Sequence, residues 1–243
     1  MDKIIFGSTG LKVSKIVFGG ITIMRLSKED GVRVVKDVLG MGINFLDTAN
    51  AYGNSEEKIG EAIKDFSREG LVISSKSETR DKKSFMENVD LSLKRLGTGY
   101  IDIYHLHGIN SEEEFSLVMQ PGGAYEGLLE VIKTGKVRYT AFSCHKMSLA
   151  IKILESKKFQ VTQIPFNFVD VEALEEVIPL SQKINIGFIA MKPMGGGLLN
   201  DANLAIRYLA QFDGIVPDPG IEKSSEMEEI IKIAENPRPL SGA

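Results

Sequence analysis

Short apolar runs alternate with longer amphipathic segments along most of the chain. The opening differs. Lys3-Ile4-Ile5-Phe6, Gly7-Ser8-Thr9-Gly10 and Leu11-Lys12-Val13 are two short alternating runs about a Gly-rich turn, which predicts a β-hairpin. Apolar runs then follow at Lys15–Phe18, Ile43–Leu46, Leu71–Ser74, Ile101–Leu106, Val137–Phe142, Val161–Phe166, Gly187–Met191 and Gly214–Val216. Most are rich in Val, Ile and Phe, the composition of strands buried on both faces. Between them the helical period predicts helices over Lys28–Met41, Ser55–Phe66, Lys82–Leu96, Ala124–Lys133, Ser148–Ser156, Val171–Lys183, Asp201–Gln211 and Ser224–Glu235. Ser27 and Asp81 stand where N-caps belong.

Eight strand–helix pairs in 243 residues leave about 30 residues per pair, the length of one βαβ repeat. The pattern therefore predicts an α/β fold, a (β/α)8 TIM barrel with an N-terminal β-hairpin, in one domain over residues 1–243. The rival is an open doubly wound sheet. It wants Gly-x-Gly-x-x-Gly between the first strand and helix, and Gly19-Gly20 is not that motif.

Composition narrows the function. Hydrophobic residues are 43% and charged residues 26%, enough for a full core. Net charge is −4 without a long basic run, which argues against nucleic acid. The only cysteine, Cys144, excludes an internal disulfide and leaves too few thiolates for a Cys-built metal site. No signal-peptide pattern and no apolar run near 18 residues is visible, so the chain reads as soluble and cytoplasmic, without a membrane partner.

Barrel enzymes carry their chemistry at the C-terminal ends of the strands. The apolar runs there close on Asp47, Lys76 and His107, and Tyr52 follows in the second loop ahead of Gly53. A phenol with a free pKa near 10 exchanges protons poorly at neutral pH. A neighbouring Lys⁺ favours the phenolate and pulls that value down. Asp47 would hold the lysine, and His107 could hydrogen-bond a substrate oxygen. Such a set can protonate a developing alkoxide. Each residue alone has an ordinary reading as a turn residue, a loop aromatic or a solvated cation; three of them at successive strand ends do not. His105 shares the parity of His107 but lies lower, where a packed core residue is expected.

These residues also carry a resemblance. Leu46-Asp47-Thr48-Ala49-Asn50-Ala51-Tyr52-Gly53-Asn54-Ser55-Glu56-Glu57, with Ser75-Lys76, Leu91–Gly97, Tyr100–His107, Gly135–Tyr139 and Gln163, resembles the aldo-keto reductases over nearly the whole chain. The resemblance implies a barrel opened by a hairpin, and an enzyme that reduces a small-molecule aldehyde or ketone with NADPH or NADH. It implies a catalytic tetrad of Asp47, Tyr52, Lys76 and His107, with Tyr52 giving the proton. It places the cofactor against Gly20, Thr22 and Asp47, with Ser143 and Gln163 on the nicotinamide carboxamide. Further contacts fall on Met191, Lys192, Pro193 and Met194, on Gly195, Gly197 and Leu198, and on Gly220, Lys223 and Ser224.

Several positions depart from the family pattern. Met191 replaces the usual stacking aromatic and Lys192 a serine. Glu226 falls where NADPH users often place Arg, and Ile230 where Asn meets the adenine. A carboxylate repels a 2′-phosphate but accepts from a ribose hydroxyl, so the family default of NADP gives way to a lean toward NAD. The fourth loop, Gly108–Gly122, is short. Met191–Gly197 and the ending Asn236-Pro237-Arg238-Pro239-Leu240 look like a subgroup whose chains continue into a Cys-rich iron–sulfur domain. This chain's one Cys cannot supply the four thiolates of such a cluster. Two rivals to a carbonyl reductase stand: a cofactor-binding redox sensor with little turnover, and a Schiff-base enzyme using Lys76.

Overall fold

The computed structural model describes residues 1–237. Strands β1 (Lys3–Phe6) and β2 (Leu11–Ser14) pair antiparallel, with Gly10 turning the chain at φ 69°. Eight parallel strands follow: β3 (Phe18–Gly19), β4 (Phe45–Asp47), β5 (Val72–Ser77), β6 (Ile101–Leu106), β7 (Val137–Ser143), β8 (Val161–Pro165), β9 (Gly187–Met191) and β10 (Ile215–Asp218). They neighbour one another in chain order. The ring closes where Val17 N donates to Pro217 O (2.9 Å) and Gly19 N to Pro219 O (3.0 Å). This is the (β/α)8 barrel with its hairpin that the alternation predicts.

Helices α1 (Lys28–Gly40), α2 (Ser55–Ala62) and α3 (Lys82–Leu96) follow β3 to β5. Both expected caps form: Ser27 accepts from Asp30 N, and Asp81 from Ser84 N. Later come α5 (Ala124–Lys133, after the α4 described next), α6 (Met147–Glu155), α7 (Val177–Lys183), α8 (Ala202–Leu209) and α9 (Ser224–Glu235). The strand expected over Lys15–Phe18 forms only as Phe18–Gly19, and three further expectations change. The segment Gly108–Gly122 holds a helix, α4 (Glu112–Met119), capped by Ser111 Oγ accepting from Glu114 N at 3.1 Å. The helix expected over Val171–Lys183 splits into a 3-10 turn, Glu172–Leu174, and α7. Pro179 lacks an N–H and is tolerated only in a first turn, which sets the start of α7 near Val177. β10 runs on to Asp218, beyond the expected end at Val216.

Inward-facing side chains fill the barrel from its lower end. Val17, Phe45, Val72, Ile103, Ala141, Val161, Ile189 and Val216 form one cluster with Phe6, Leu11 and Val13 of the hairpin. The Phe6 ring meets Phe45 edge-on at 5.4 Å. A Cβ at Gly187 would come within 2.6 Å of that ring, so glycine there lets the hairpin seat as a floor. Ser8 N ties the hairpin to Asn185 O at 2.7 Å. A second, larger core lies between the strands and the helices. Among the described residues no helix is long and apolar enough to cross a membrane. Arg238, Pro239 and Leu240, which carried part of the subgroup resemblance, lie outside the described residues.

Candidate active site

The inward row changes chemistry at the upper end of the same strands. Phe45 gives way to Asp47, Val72 to Ser74 and Lys76, Ile103 to His105, Val161 to Gln163 and Val216 to Asp218. Strand pleating makes each second residue point inward, so these groups converge by geometry alone.

The structure brings Asp47, Tyr52, Lys76 and His107 together. Asp47 and Lys76 are 2% and 1% exposed. The Lys76 ammonium donates to Asp47 Oδ2 and to Thr48 O (2.8 Å). It stands 5.2 Å from the centre of the Tyr52 ring. That ring meets His107 edge-on, centroids 6.0 Å apart. Tyr52 is set by a turn: its N–H donates to Ala49 O (3.0 Å), its carbonyl accepts from Ser55 N (2.9 Å), and Gly53 takes φ 52°. His107 is held by its backbone. His107 N donates to Ser77 O (2.9 Å), while Arg80 Nη1 donates to His107 O (2.9 Å) and Nη2 to Gly108 O (3.0 Å). Arg80 also pairs with Glu114 of α4. The unexpected helix therefore braces the loop that carries His107.

Electrostatics follow from burial and one cation. Burial works against the Asp47 carboxylate, but Lys76, with smaller help from His105 and Ser74, holds Asp47 below the usual range. Burial also works against the Lys76 charge, and Asp47, Tyr52 and Asp218 together lift its pKa above the ordinary value. For Tyr52 burial wins: its pKa is raised, although Lys76 pulls down. The expectation of a lowered phenol is thus corrected in the free protein, because removing the phenolate from water costs more than Lys76 returns. Burial, then Lys76, pushes His107 down to about 4 and His105 to about 3, so both are neutral at pH 7. His105 is fully buried and pairs with Ser74 Oγ at 2.9 Å, the packed histidine expected from its depth.

The residues assigned to a cofactor divide into two groups. Several sit at the upper rim. Gly195, Gly196 and Gly197 adopt φ 57°, 70° and 97°, and a Cβ on either of the last two would meet nothing within 4 Å. Lys192 is also left-handed at φ 56°, with its carbonyl accepting from Asn167 Nδ2 at 3.1 Å. Leu198 is 86% exposed, whereas Pro193 is buried and Met191 and Met194 are half-buried. Gly220 lies against Thr22, whose hydroxyl donates to Ile221 O (2.5 Å). Gly20 packs where a Cβ would strike Asp47 O at 2.7 Å.

The others are committed to the protein. Ser143 Oγ accepts from Gly108 N (2.8 Å). Gln163 Nε2 donates to Asp47 Oδ2 (3.2 Å) and Asp218 Oδ2 (2.9 Å); only the amide nitrogen suits two carboxylates, which fixes its orientation. Glu226 Oε2 accepts from the backbone of Glu222 (2.8 Å) and Lys223 (3.1 Å), closing the N-terminus of α9 beside Ser224. Ile230 is 4% exposed and packs in the core. Cys144 is buried, and burial pushes its thiol up to about 11.

Sequence reasoning missed Asp218. It sits at the end of β10 beside Asp47, and burial, then Asp47, raises its pKa well above the carboxylate range. Its signal was a carboxylate two residues past an apolar run, at the same parity as Val216.

Residues 15–213 match the profile of the Aldo/keto reductase family. Among curated proteins, the "Uncharacterized oxidoreductase YqkF" of Bacillus subtilis is 28% identical over 218 residues, 84% of this chain and 68% of that protein. The "Probable aldo-keto reductase 1" of Glycine max is 27% identical over 209 residues, 79% of this chain and 59% of that one. The chain thus spans 59–68% of the length of these relatives. In fold, the holo form of aldo-keto reductase AKR11C1 from Bacillus halodurans superposes with a TM-score of 0.84 at 24% identity, covering 99% of this chain and 93% of that one.

Proposed function

The chain belongs to the aldo/keto reductase family, a family of oxidoreductases, and from that footing we propose that it reduces a small aldehyde or ketone to an alcohol with a nicotinamide cofactor. The observation that carries the reading is one buried contact chain: Asp47 on Lys76, Lys76 beneath the Tyr52 ring, and Tyr52 against His107.

A bound reduced nicotinamide supplies the hydride. The protein's part is to manage one proton. Burial keeps Tyr52 protonated, so at neutral pH the phenol is loaded as a donor to an oxygen that gains charge. Once it donates, the phenolate is left near the Lys76 ammonium, 5.2 Å from its ring. Asp47 keeps that ammonium charged and fixed. Neutral His107, whose Nδ1 makes no hydrogen bond and stands 3.6 Å from Glu78 Oε1, orients the carbonyl.

The rim fits a dinucleotide. In the left-handed run 195–197, Gly195 N and Gly197 N close the turn on Lys192 O and Met194 O (2.9 Å each), and no side chain crowds Gly196 or Gly197, so backbone there is open to phosphate oxygens. Gly20, Thr22, Gly220, Lys223 and Ser224 would complete the cofactor site, and Lys192 would add a charge. Gln163 Oε1 and the Ser143 hydroxyl hydrogen, which the bonds above leave unused, would meet the carboxamide. The Glu226 carboxylate occupies the N-terminus of α9, where it would repel a 2′-phosphate, so NADH is preferred to NADPH.

Titrating the protein into each cofactor and following the cofactor's own fluorescence tests this, since a chain without Trp adds no indole signal. Saturable binding, tighter for NADH, with oxidation of NADH by a panel of aldehydes and ketones is expected. No binding of either cofactor removes the reading. Tight binding without reduction of any carbonyl replaces it with a redox sensor.

A further inference from the structure

Asp218 is unexplained by the tetrad. It faces a site that already has one carboxylate and one ammonium. Asp47 Oδ2 takes both donors at hand, Lys76 Nζ and Gln163 Nε2. Gln163 Nε2 also reaches Asp218 Oδ2. That leaves Asp47 Oδ1 and Asp218 Oδ1, both buried and without a hydrogen-bond partner. Gln163 Nε2 thus bridges the two carboxyl groups, 3.2 Å from Asp47 Oδ2 and 2.9 Å from Asp218 Oδ2, and sets them side by side. Two ionised carboxylates would set like charges side by side with two buried oxygens bare of donors, an arrangement that like charge and desolvation both oppose. One proton between the Oδ1 atoms satisfies both.

The neighbourhood decides which carboxyl carries it. Asp47 holds the ammonium and stays ionised. The other groups around the pair are Tyr52 from the β4–α2 loop, Lys76 and Ser74 from β5, His105 from β6, His107 from the loop after it, and Glu78 at the rim. Both histidines are neutral, and Ser74 is paired with His105. With Asp218 neutral, the buried charges of Asp47 and Lys76 cancel. The space for Asp218 is also built: a Cβ on Gly19 would fall 2.8 Å from Asp218 Oδ1.

We propose that Asp218 is a positioning residue for the Asp47–Lys76–Tyr52 chain, holding one proton that it donates from Oδ1 to Asp47 Oδ1. The role in turnover rests on the carbonyl-reductase reading; the shared proton does not. Ionising Asp218 at higher pH places a second negative charge beside Tyr52 and Lys76. The phenol then holds its proton more firmly, so Asp218 extends the alkaline side of the range in which Tyr52 can donate.

Infrared spectroscopy of the whole chain tests the proton directly. At pH 7 the protein should show a protonated-carboxyl C=O band above amide I that shifts in D2O and fades at alkaline pH. Asp218→Asn should remove the band, and Tyr52→Phe should keep it. In carbonyl reduction with NADH, Asp218→Asn keeps a donor to Asp47 but cannot ionise, so the alkaline limb of kcat should move to lower pH. Asp218→Val removes the donor and should lower kcat about tenfold below the Asn variant. Absence of the band in the wild type overturns the inference, whether or not any variant folds. So does a band that survives Asp218→Asn, or an unmoved alkaline limb. A band that behaves as expected in a protein that reduces no carbonyl leaves the shared proton in place and removes the function proposed above.

Discussion

The two ends of the barrel use the same strands and opposite chemistry. At the floor, Phe45, Val72, Val161 and Val216 pack on the hairpin's Phe6 and Val13 in a cluster edged by Ile4 and Tyr139. Two residues further along, about 7 Å at strand rise, Asp47, Ser74, Gln163 and Asp218 point into the same channel. The floor is filled by shape, with hydrogen bonds only at its edge, where Ser8 N meets Asn185 O and Ser14 N meets Asn44 Oδ1. The mouth buries an ion pair, two neutral histidines and a second acid, and each depends on a named partner. Substitutions at the floor should therefore cost stability in proportion to the volume removed. Those at the mouth should change chemistry and pH response.

The largest effect is expected at the mouth. Lys76→Met leaves Asp47 buried without its cation; breaking a buried pair costs about 3–5 kcal/mol, and turnover should fall at least ~100-fold. Urea unfolding with a parallel NADH-oxidation assay checks both. At the floor, Phe45→Ala should cost about 3–5 kcal/mol in the same unfolding experiment, with kcat nearly intact in the fraction that stays folded. Equal loss of kcat in folded Phe45→Ala would break the separation of the two ends.

A third effect is graded. His105 and His107 titrate at about 3 and about 4 in the folded protein, below the unfolded value near 6.5. Between those values the unfolded chain binds more protons, so stability is fully present above about pH 6.5 and falls with pH toward 3. His105→Asn should flatten that dependence, measured as unfolding midpoints from pH 7 to 4. The smallest effect is outside both ends. Asp81→Ala removes the α3 cap and should cost about 1 kcal/mol with no change in the pH profile.

Much of this was visible in the sequence. The barrel showed because buried parallel strands read as Val- and Ile-rich runs separated by amphipathic helices. Asp47, Lys76 and His107 showed because each is the polar residue that closes such a run. What escaped did so for local reasons. Helix α4 carries the capping pattern Ser111-x-x-Glu114, hidden between Gly108 and Gly122 in a segment that otherwise resembles a loop. Asp218 lay past the expected strand Gly214–Val216, on the far side of Pro217; yet Pro217 O accepts from Val17 N, and a proline can sit where the barrel closes through its carbonyl. Glu226 looked like a ligand for ribose because its reach back onto the N-terminus of α9 depends on backbone geometry. The Tyr52 pKa was misjudged in direction because composition shows the neighbouring charge and not the depth of burial.

The measurement that bears most directly on the central claim is single-turnover reduction of an aldehyde by NADH in wild type and Tyr52→Phe, with cofactor affinity taken from fluorescence on the same samples. The account predicts equal NADH affinity and a rate lowered by roughly two to four orders of magnitude in the variant. A Tyr52→Phe protein that binds NADH and reduces the aldehyde at close to the wild-type rate would contradict it, because the proton would then come from another group.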